Sequence, residues 1–164
     1  MTVSLKRSVL LAAIVCGCVG CDQATKAVAR GCLATTPRLS FFGDLFRLQL
    51  VENRGAFLGL GSNLPENLRT WLIVAGAAVW LLGLGFVLSG KELNRPRSVA
   101  LALILAGGIG NLLDRIFNHN AVVDFMNLGI GHLRTGIFNV ADIALMCGTA
   151  LLLWFSMEHR DSSS

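Results

Sequence analysis

The sequence predicts an all-α membrane protein with four transmembrane helices, both termini on the cytoplasmic side, and a small extracytoplasmic β-sheet from the loop between helices 1 and 2. Three observations support this fold class. Only 15% of the 164 residues are charged and 54% are hydrophobic, whereas an ordinary soluble domain carries about 25% charged residues. Four apolar windows have the length of about 20 residues that a hydrocarbon core requires. Lysine and arginine are denser on one side of these windows, as they are in cytoplasmic segments.

The apolar windows are the predicted spans, and they cover residues 8–29, 68–88, 98–117 and 138–157. Residues 30–67 and 118–137 are the predicted outer loops. The second span is the most uniform, because Trp71–Leu88 contains no ionisable side chain. Polar groups interrupt the other three. The whole chain, 1–164, is therefore predicted to form a single integral-membrane domain.

The orientation follows from the basic residues that flank the spans. Segments 1–7, 89–97 and 158–164 hold six lysines and arginines in 23 residues, whereas the two outer loops hold five in 58. Because short cytoplasmic segments are enriched in these residues, both termini are predicted to be cytoplasmic. Within the first outer loop, 39–42 and 45–51 are short apolar runs separated by Gly43-Asp44, a pattern typical of a β-hairpin.

The N-terminus allows a second interpretation. Lys6-Arg7, an apolar stretch over Val9–Val19 and then Gly20-Cys21 resemble a lipoprotein signal peptide with its lipid-accepting cysteine. A precursor of that kind exports a soluble remainder, whereas this chain continues with three more apolar spans. The segment is therefore predicted to be a retained helix. Loss of residues 1–20 from the mature protein would favour the precursor.

No metal site, cofactor or nucleic-acid partner is predicted. Cys18 and Cys21 have CxxC spacing, but no second pair or histidine cluster accompanies them. The cysteines are interpreted as small apolar residues, at positions 16, 18, 21, 32 and 147. The three histidines lack the HExxH spacing of zinc peptidases, and the basic residues do not form one patch.

Polar side chains within the spans carry the functional information, because an ionisable group at the bilayer centre costs about 2.5–3.5 kcal/mol or more. Asp22 and Lys26 are four residues apart in one helix and are able to neutralise each other. One polar face of the third helix carries Asn111, Asp114 and Arg115. The small residues just before that face are expected to let another helix approach, and they are Gly107, Gly108 and Gly110.

Two further carboxylates have no obvious local cation. Asp124 lies in the apolar run 122–125, and Asp142 lies four residues inside the fourth span, with Asn139 one turn above it. Apolar surroundings favour the protonated form of a carboxyl group. Two such groups are able to share a proton, as in an aspartic peptidase, and equally to form a proton or ion relay in a transporter. The residues alone leave both functions open.

Five sequence blocks together resemble bacterial lipoprotein signal peptidase, signal peptidase II. The resemblance runs from about residue 8 to 157, and the blocks occur in the family's order. They are Asp22-Gln23-Ala24-Thr25-Lys26, Asn53-Arg54-Gly55-Ala56, Gly107-Gly108-Ile109-Gly110-Asn111-Leu112-Leu113-Asp114-Arg115, Val122-Val123-Asp124-Phe125 and Phe138-Asn139-Val140-Ala141-Asp142. The resemblance implies an intramembrane aspartic endopeptidase of the bacterial inner membrane, with its active site toward the extracytoplasmic side. Its substrates are diacylglyceryl-modified prolipoproteins, cut just before the lipidated cysteine.

The resemblance also implies residue roles, with membrane lipid as a partner and cyclic peptides of the globomycin type as inhibitors. Asp124 and Asp142 match the catalytic pair. The positions that match the substrate pocket are Asn53, Gly55, Asn111, Arg115 and Asn139. The positions that match its polar support are Asp22, Lys26 and Asp114. The chain departs from the family pattern at Phe57-Leu58, where the aromatic residue comes one position early, and at Ala106-Gly107, where a glycine pair is usual.

Overall fold

The computed structural model describes residues 3–36, 38–54, 65–90 and 94–161. In this part of the chain the elements are, in order, α1 (Val3–Leu33), β1 (Leu39–Phe41), β2 (Phe46–Asn53), α2 (Glu66–Ser89), α3 (Arg95–Phe117), β3 (Val122–Ile130), β4 (Leu133–Arg134) and α4 (Val140–Asp161). All four helices are long and apolar enough to cross a membrane. The predicted fold class, four helices with a small sheet, is confirmed.

The ends of the helices differ from the predicted spans. α1 extends beyond 8–29 at both ends, and α4 begins at Val140 rather than at 138. The prediction that Asn139 lies inside the fourth helix, one turn above Asp142, is therefore wrong. Asn139 precedes the helix, because its side chain accepts the backbone N–H of Asp142 and so caps the first turn.

Helix α3 is the centre of the bundle, packs against the three other helices and is the most buried of the four. The predicted close approach at its glycines is confirmed. A Cβ atom on Gly107 would overlap the Ala141 carbonyl oxygen of α4, and one on Gly110 would lie 2.7 Å from Asp22 Oδ2 of α1. These glycines therefore bring three helices together where the polar side chains lie.

The four strands form one antiparallel sheet in the order β1-β2-β3-β4. The β1–β2 hairpin confirms the prediction for the first outer loop, and the second outer loop contributes β3 and β4. Asn53 of β2 pairs with Val122 of β3, which places Asp124 diagonally across from Asn53. The sheet packs against the end of α1 through a small core that contains Ala29, Leu33 and Phe125.

Candidate active site

Asp124 lies in β3, at a point where the sheet meets the helices. Its side chain is only 3% exposed. Asn53 Nδ2 donates to Asp124 Oδ2 at 3.0 Å, and Asn139 Nδ2 donates to Asp124 Oδ1 at 2.7 Å. Both oxygens of this carboxyl group are thus held by side-chain amides from two different segments.

Asp142 lies in the first turn of α4, where it shares a reciprocal cap with Asn139. The Asp142 backbone N–H donates to Asn139 Oδ1 at 2.9 Å, and the Asn139 backbone N–H donates to Asp142 Oδ2 at 3.1 Å. This arrangement is a capping box built from Asn and Asp. Asn111 Nδ2 of α3 donates to the other oxygen, Asp142 Oδ1, at 2.9 Å. The carboxyl group is therefore fixed by two donors.

Asn139 joins the two carboxyl groups. Its Nδ2 donates to Asp124 Oδ1 and to Asn111 Oδ1, the latter at 3.1 Å, and its backbone N–H donates to Asp142 Oδ2. It reaches Asp124 because the preceding residue, Phe138, pairs with Met126 of β3 through two backbone hydrogen bonds of 2.8 and 2.9 Å. A short β-bridge therefore brings the start of α4 alongside the strand that carries Asp124.

Lys26 is the centre of a second, neighbouring cluster. It is 2% exposed, and its Nζ lies 2.7 Å from Asp22 Oδ2, 2.9 Å from Asp114 Oδ2 and 3.3 Å from Asn111 Oδ1. An ammonium group has three donors, and here three acceptors surround it. The predicted pairing of Asp22 with Lys26 is confirmed, and Asp114 is a second anion on the same cation.

The two carboxylates of the Lys26 cluster, Asp22 and Asp114, also accept hydrogen bonds from the backbone next to Asp142 and Asp124. Asp22 Oδ1 accepts the Ala141 N–H at 2.9 Å, one residue before Asp142. Asp114 Oδ2 accepts the Val123 N–H at 2.9 Å, one residue before Asp124. The cluster therefore fixes both segments that carry the candidate catalytic groups.

The structure brings most of the predicted pocket residues to this place. Asn53, Asn111 and Asn139 contact the carboxyl pair directly, as described above. Arg115 lies beside them in the last turn of α3, and its Nη1 donates to the Asn120 carbonyl oxygen at 3.2 Å. Gly55 lies outside the described residues, as does Phe57-Leu58, so these two predictions stay predictions. In the described part of the chain, no group of histidine, cysteine and acidic residues is arranged to hold a metal ion.

The electrostatic environment of Asp124 differs from that of an exposed carboxyl group. Burial raises the pKa of Asp124 above its ordinary value, and the nearby Asp142 acts in the same direction. The hydrogen bonds from Asn53 and Asn139 and the charge of Lys26 oppose this rise. The balance favours the protonated form of Asp124 more than in water.

Gln23 belongs to the site, although the sequence alone indicates no role for it. Gln23 Nε2 donates to Asp22 Oδ2 at 3.1 Å and to Asp114 Oδ1 at 3.1 Å, and so completes the Lys26 cluster. Its position next to Asp22 is the feature of the sequence that could have indicated this role. Helical spacing did not reveal it, because it depends on how α1 faces α3.

The fold and the site define a multi-pass membrane enzyme of the aspartic peptidase class, and comparisons with known proteins identify the family. The profile described as "Signal peptidase (SPase) II" matches residues 14–158. The chain is 39% identical over 135 residues to the lipoprotein signal peptidase of Borrelia duttonii, covering 79% of this chain and 78% of the relative. It is 36% identical over 143 residues to that of Treponema denticola, covering 84% and 81%.

Solved structures agree with this result. A bacterial membrane enzyme at 28% identity has a TM-score of 0.70, covering 88% of this chain and 90% of the other. A second, at 24% identity, has a TM-score of 0.77 and supports the fold, covering 94% and 92%. The chain belongs to the signal peptidase II family: it is an aspartic endopeptidase that removes the signal peptides of lipoproteins.

Proposed function

We propose that Asp124 and Asp142 are the catalytic pair and that they activate a water molecule for cleavage just before a diacylglyceryl-modified cysteine. The observation that carries the proposal is that Asn139 bonds to both carboxyl groups. Its side-chain Nδ2 donates to Asp124, and its backbone N–H donates to Asp142. One residue thus holds two carboxyl groups in a fixed relation at the edge of the membrane-spanning bundle. A shared proton in such a pair is the arrangement that aspartic peptidases use.

In this mechanism Asp142 is the base and Asp124 carries the proton. Asp142 removes a proton from water, whose oxygen then bonds to the scissile carbonyl carbon. Asp124 donates a hydrogen bond to the carbonyl oxygen and then gives its proton to the leaving nitrogen as the C–N bond breaks. The proton that Asp142 took from water becomes the proton of the pair. The assignment is supported by the burial of Asp124, which raises the pKa of that carboxyl group.

The five pocket positions remain part of the proposal, namely Asn53, Gly55, Asn111, Arg115 and Asn139. Arg115 offers a planar set of donors suited to substrate carbonyl groups, and it lies close enough to Asp124 and Asp142 to be attracted by both. Asn53 and Asn111 each use Nδ2 to hold a catalytic carboxyl group. We therefore propose that they position the pair as well as contact the substrate.

The pair is proposed to face the extracytoplasmic side of the bacterial inner membrane, in a single domain of 164 residues. The denser basic residues lie at the opposite ends of the helices, as expected for cytoplasmic segments. Acyl chains of the substrate and of membrane lipid remain in the bilayer at this depth while the scissile bond reaches water. Cyclic peptides of the globomycin type are proposed as inhibitors that occupy the same pocket.

The decisive experiment measures cleavage of a lipidated precursor by Asp124→Asn and Asp142→Asn in purified, reconstituted enzyme. Each change keeps the shape but removes an acid or base, so activity should fall by about 10²–10⁴-fold or more. A globomycin-type peptide should inhibit the unchanged enzyme, and a precursor without the diacylglyceryl group should be a poor substrate.

Asp44→Asn is the matched control, because Asp44 is a carboxylate in the β1–β2 turn, where it bonds to Ser40 and Arg47 rather than to the site. It should cleave at the normal rate. Thermal melting in detergent should show all three variants folded. Near-normal cleavage by either Asp124→Asn or Asp142→Asn would falsify the assignment of the pair.

A further inference from the structure

A small cavity of about 210 Å³ lies at the end of the bundle away from the catalytic pair. It is formed where the start of α1 meets the start of α3, and it is lined by Lys6, Arg7, Leu10, Leu11, Arg95, Ser98 and Val99. Neither the peptidase site nor its Lys26 cluster includes any of these residues.

The cavity lies at the other membrane interface. Arg7 and Lys26 are 19 positions apart in α1, and Arg95 and Asp114 are 19 positions apart in α3. At a rise of about 1.5 Å per residue, each pair is about 28 Å apart along its helix. This distance is close to the roughly 30 Å thickness of a hydrocarbon core.

The cavity is strongly cationic at its rim. Lys6, Arg7 and Arg95 contribute three positive charges, and none of the described residues that line it carries a carboxylate. Among the described residues, the ion pairs form elsewhere and leave these three cations uncompensated. The N-terminus of α3 at Arg95 adds the positive end of a helix dipole.

Arg7 has a hydrogen-bond donor at this cavity, its Nε, that lacks a partner among the described residues. Its Nη2 donates to the Leu88 carbonyl oxygen at 3.2 Å, which anchors the guanidinium group to the last turn of α2. Its Nε is buried and has no hydrogen-bond partner among the described residues. A buried donor without a partner costs about 1–3 kcal/mol, so an acceptor supplied by a ligand would stabilise this arrangement.

We propose that this cavity binds the headgroup of an anionic phospholipid, in the leaflet opposite the catalytic pair. Phosphate oxygens would accept hydrogen bonds from the three cationic side chains. Leu10, Leu11 and Val99 provide apolar surface for the glycerol and the first acyl carbons. Basic pockets between transmembrane helices are known to suit such headgroups.

The test is native mass spectrometry of the delipidated full-length protein in neutral detergent, titrated with dioctanoyl phosphatidylglycerol, dioctanoyl phosphatidylcholine or inorganic phosphate. We expect one phosphatidylglycerol to bind tightly, and the other two weakly. The double variant Lys6→Gln/Arg95→Gln should bind it about 30-fold more weakly, as expected for two basic groups near an anionic lipid. Neither side chain has a hydrogen bond among the described residues, so the variant should fold.

The matched control is Arg30→Gln/Arg97→Gln, which removes the same charge outside the cavity. Arg97 lies two residues after Arg95 in α3, and Arg30 lies near the other end of α1. This control should keep the affinity for phosphatidylglycerol. Equal losses in the two double variants, equal affinity for phosphatidylcholine, or binding of inorganic phosphate alone would each overturn the proposal.

Discussion

Two groups of aspartates lie side by side in this protein, and their surroundings are opposite. Asp22 and Asp114 share the ammonium group of Lys26, with Nζ–oxygen distances of 2.7 and 2.9 Å. Asp124 and Asp142 instead receive all their hydrogen bonds among the described residues from amides. The first group is paired directly with a buried cation, whereas the second is held in place by neutral amides.

This difference matches the two roles proposed for the aspartates, structural support for Asp22 and Asp114 and catalysis for Asp124 and Asp142. The direct contact with Lys26 holds the side chains of Asp22 and Asp114 in place. They accept the backbone N–H groups of Ala141 and Val123. A carboxyl group held by neutral amides keeps its orientation and is still able to exchange a proton. Asp22 and Asp114 therefore fix the backbone that carries Asp142 and Asp124.

The largest expected effect on stability comes from removing the shared cation with Lys26→Met. Two buried carboxylates are then left without their partner, and breaking a buried ion pair in this way typically costs about 3–5 kcal/mol. The free energy of unfolding in mixed detergent micelles should fall by this amount. Cleavage should fall too, because the backbone at Val123 and Ala141 loses its fixed acceptors.

The triple variant Asp22→Asn/Lys26→Met/Asp114→Asn tests whether uncompensated charge is the cause. It removes the two anions together with the cation, so it should recover much of the lost stability. A triple variant as unstable as Lys26→Met would show that packing, rather than charge, accounts for the effect.

A smaller effect is expected from Asn139→Ala, which removes the residue that links Asp124 and Asp142. Asn139 is fully buried and caps α4, so its loss should cost about 1–3 kcal/mol. Cleavage should fall further than stability alone explains, because Asp124 and Asp142 lose their common partner.

Asn94→Ala is the control for this change. Asn94 caps α3 by accepting the Arg97 N–H at 3.1 Å, far from the pair. Its loss should cost about 1 kcal/mol and leave cleavage unchanged. Equal cleavage by the Asn139 and Asn94 variants would mean that Asn139 acts only as a cap.

The comparison also shows what the sequence was able to predict. The pairing of Asp22 with Lys26 follows from helical spacing, and the hairpin follows from its turn residues, so local rules were sufficient. That Asp114 joins the same cation depends on how closely α1 and α3 approach. The role of Asn139 as a cap depends on a distant strand, since the β-bridge from Phe138 to Met126 places the start of α4 beside β3. Such long-range contacts have no local pattern.

Asn53→Ala tests the electrostatics of the Asp124–Asp142 pair through the pH dependence of cleavage. The hydrogen bond from Asn53 lowers the pKa of Asp124, so removing it should raise that pKa further. If Asp124 works in its protonated form, the alkaline limb of the kcat/KM profile should move to higher pH. The control is Gln49→Ala, an amide of the same strand, which should leave the profile in place. A limb that moves to lower pH would contradict the assignment of the proton to Asp124.

The smallest effect is expected at Asp44, an aspartate outside both groups. Its bonds to Arg47 and Ser40 hold the pKa of this carboxyl group well below its usual range. A lowered folded-state pKa contributes stability above the unfolded value of about 3.9, and this contribution is lost as pH falls toward the folded value. The melting temperature of Asp44→Asn should therefore fall less between about pH 5 and pH 3 than that of the unchanged protein. Asn also tolerates the backbone φ of 75° at this position.

Glu52→Gln, which removes a carboxylate 3.9 Å from Arg54, should keep the original acid dependence. The same dependence in both variants would show that the turn contributes no pH-linked stability.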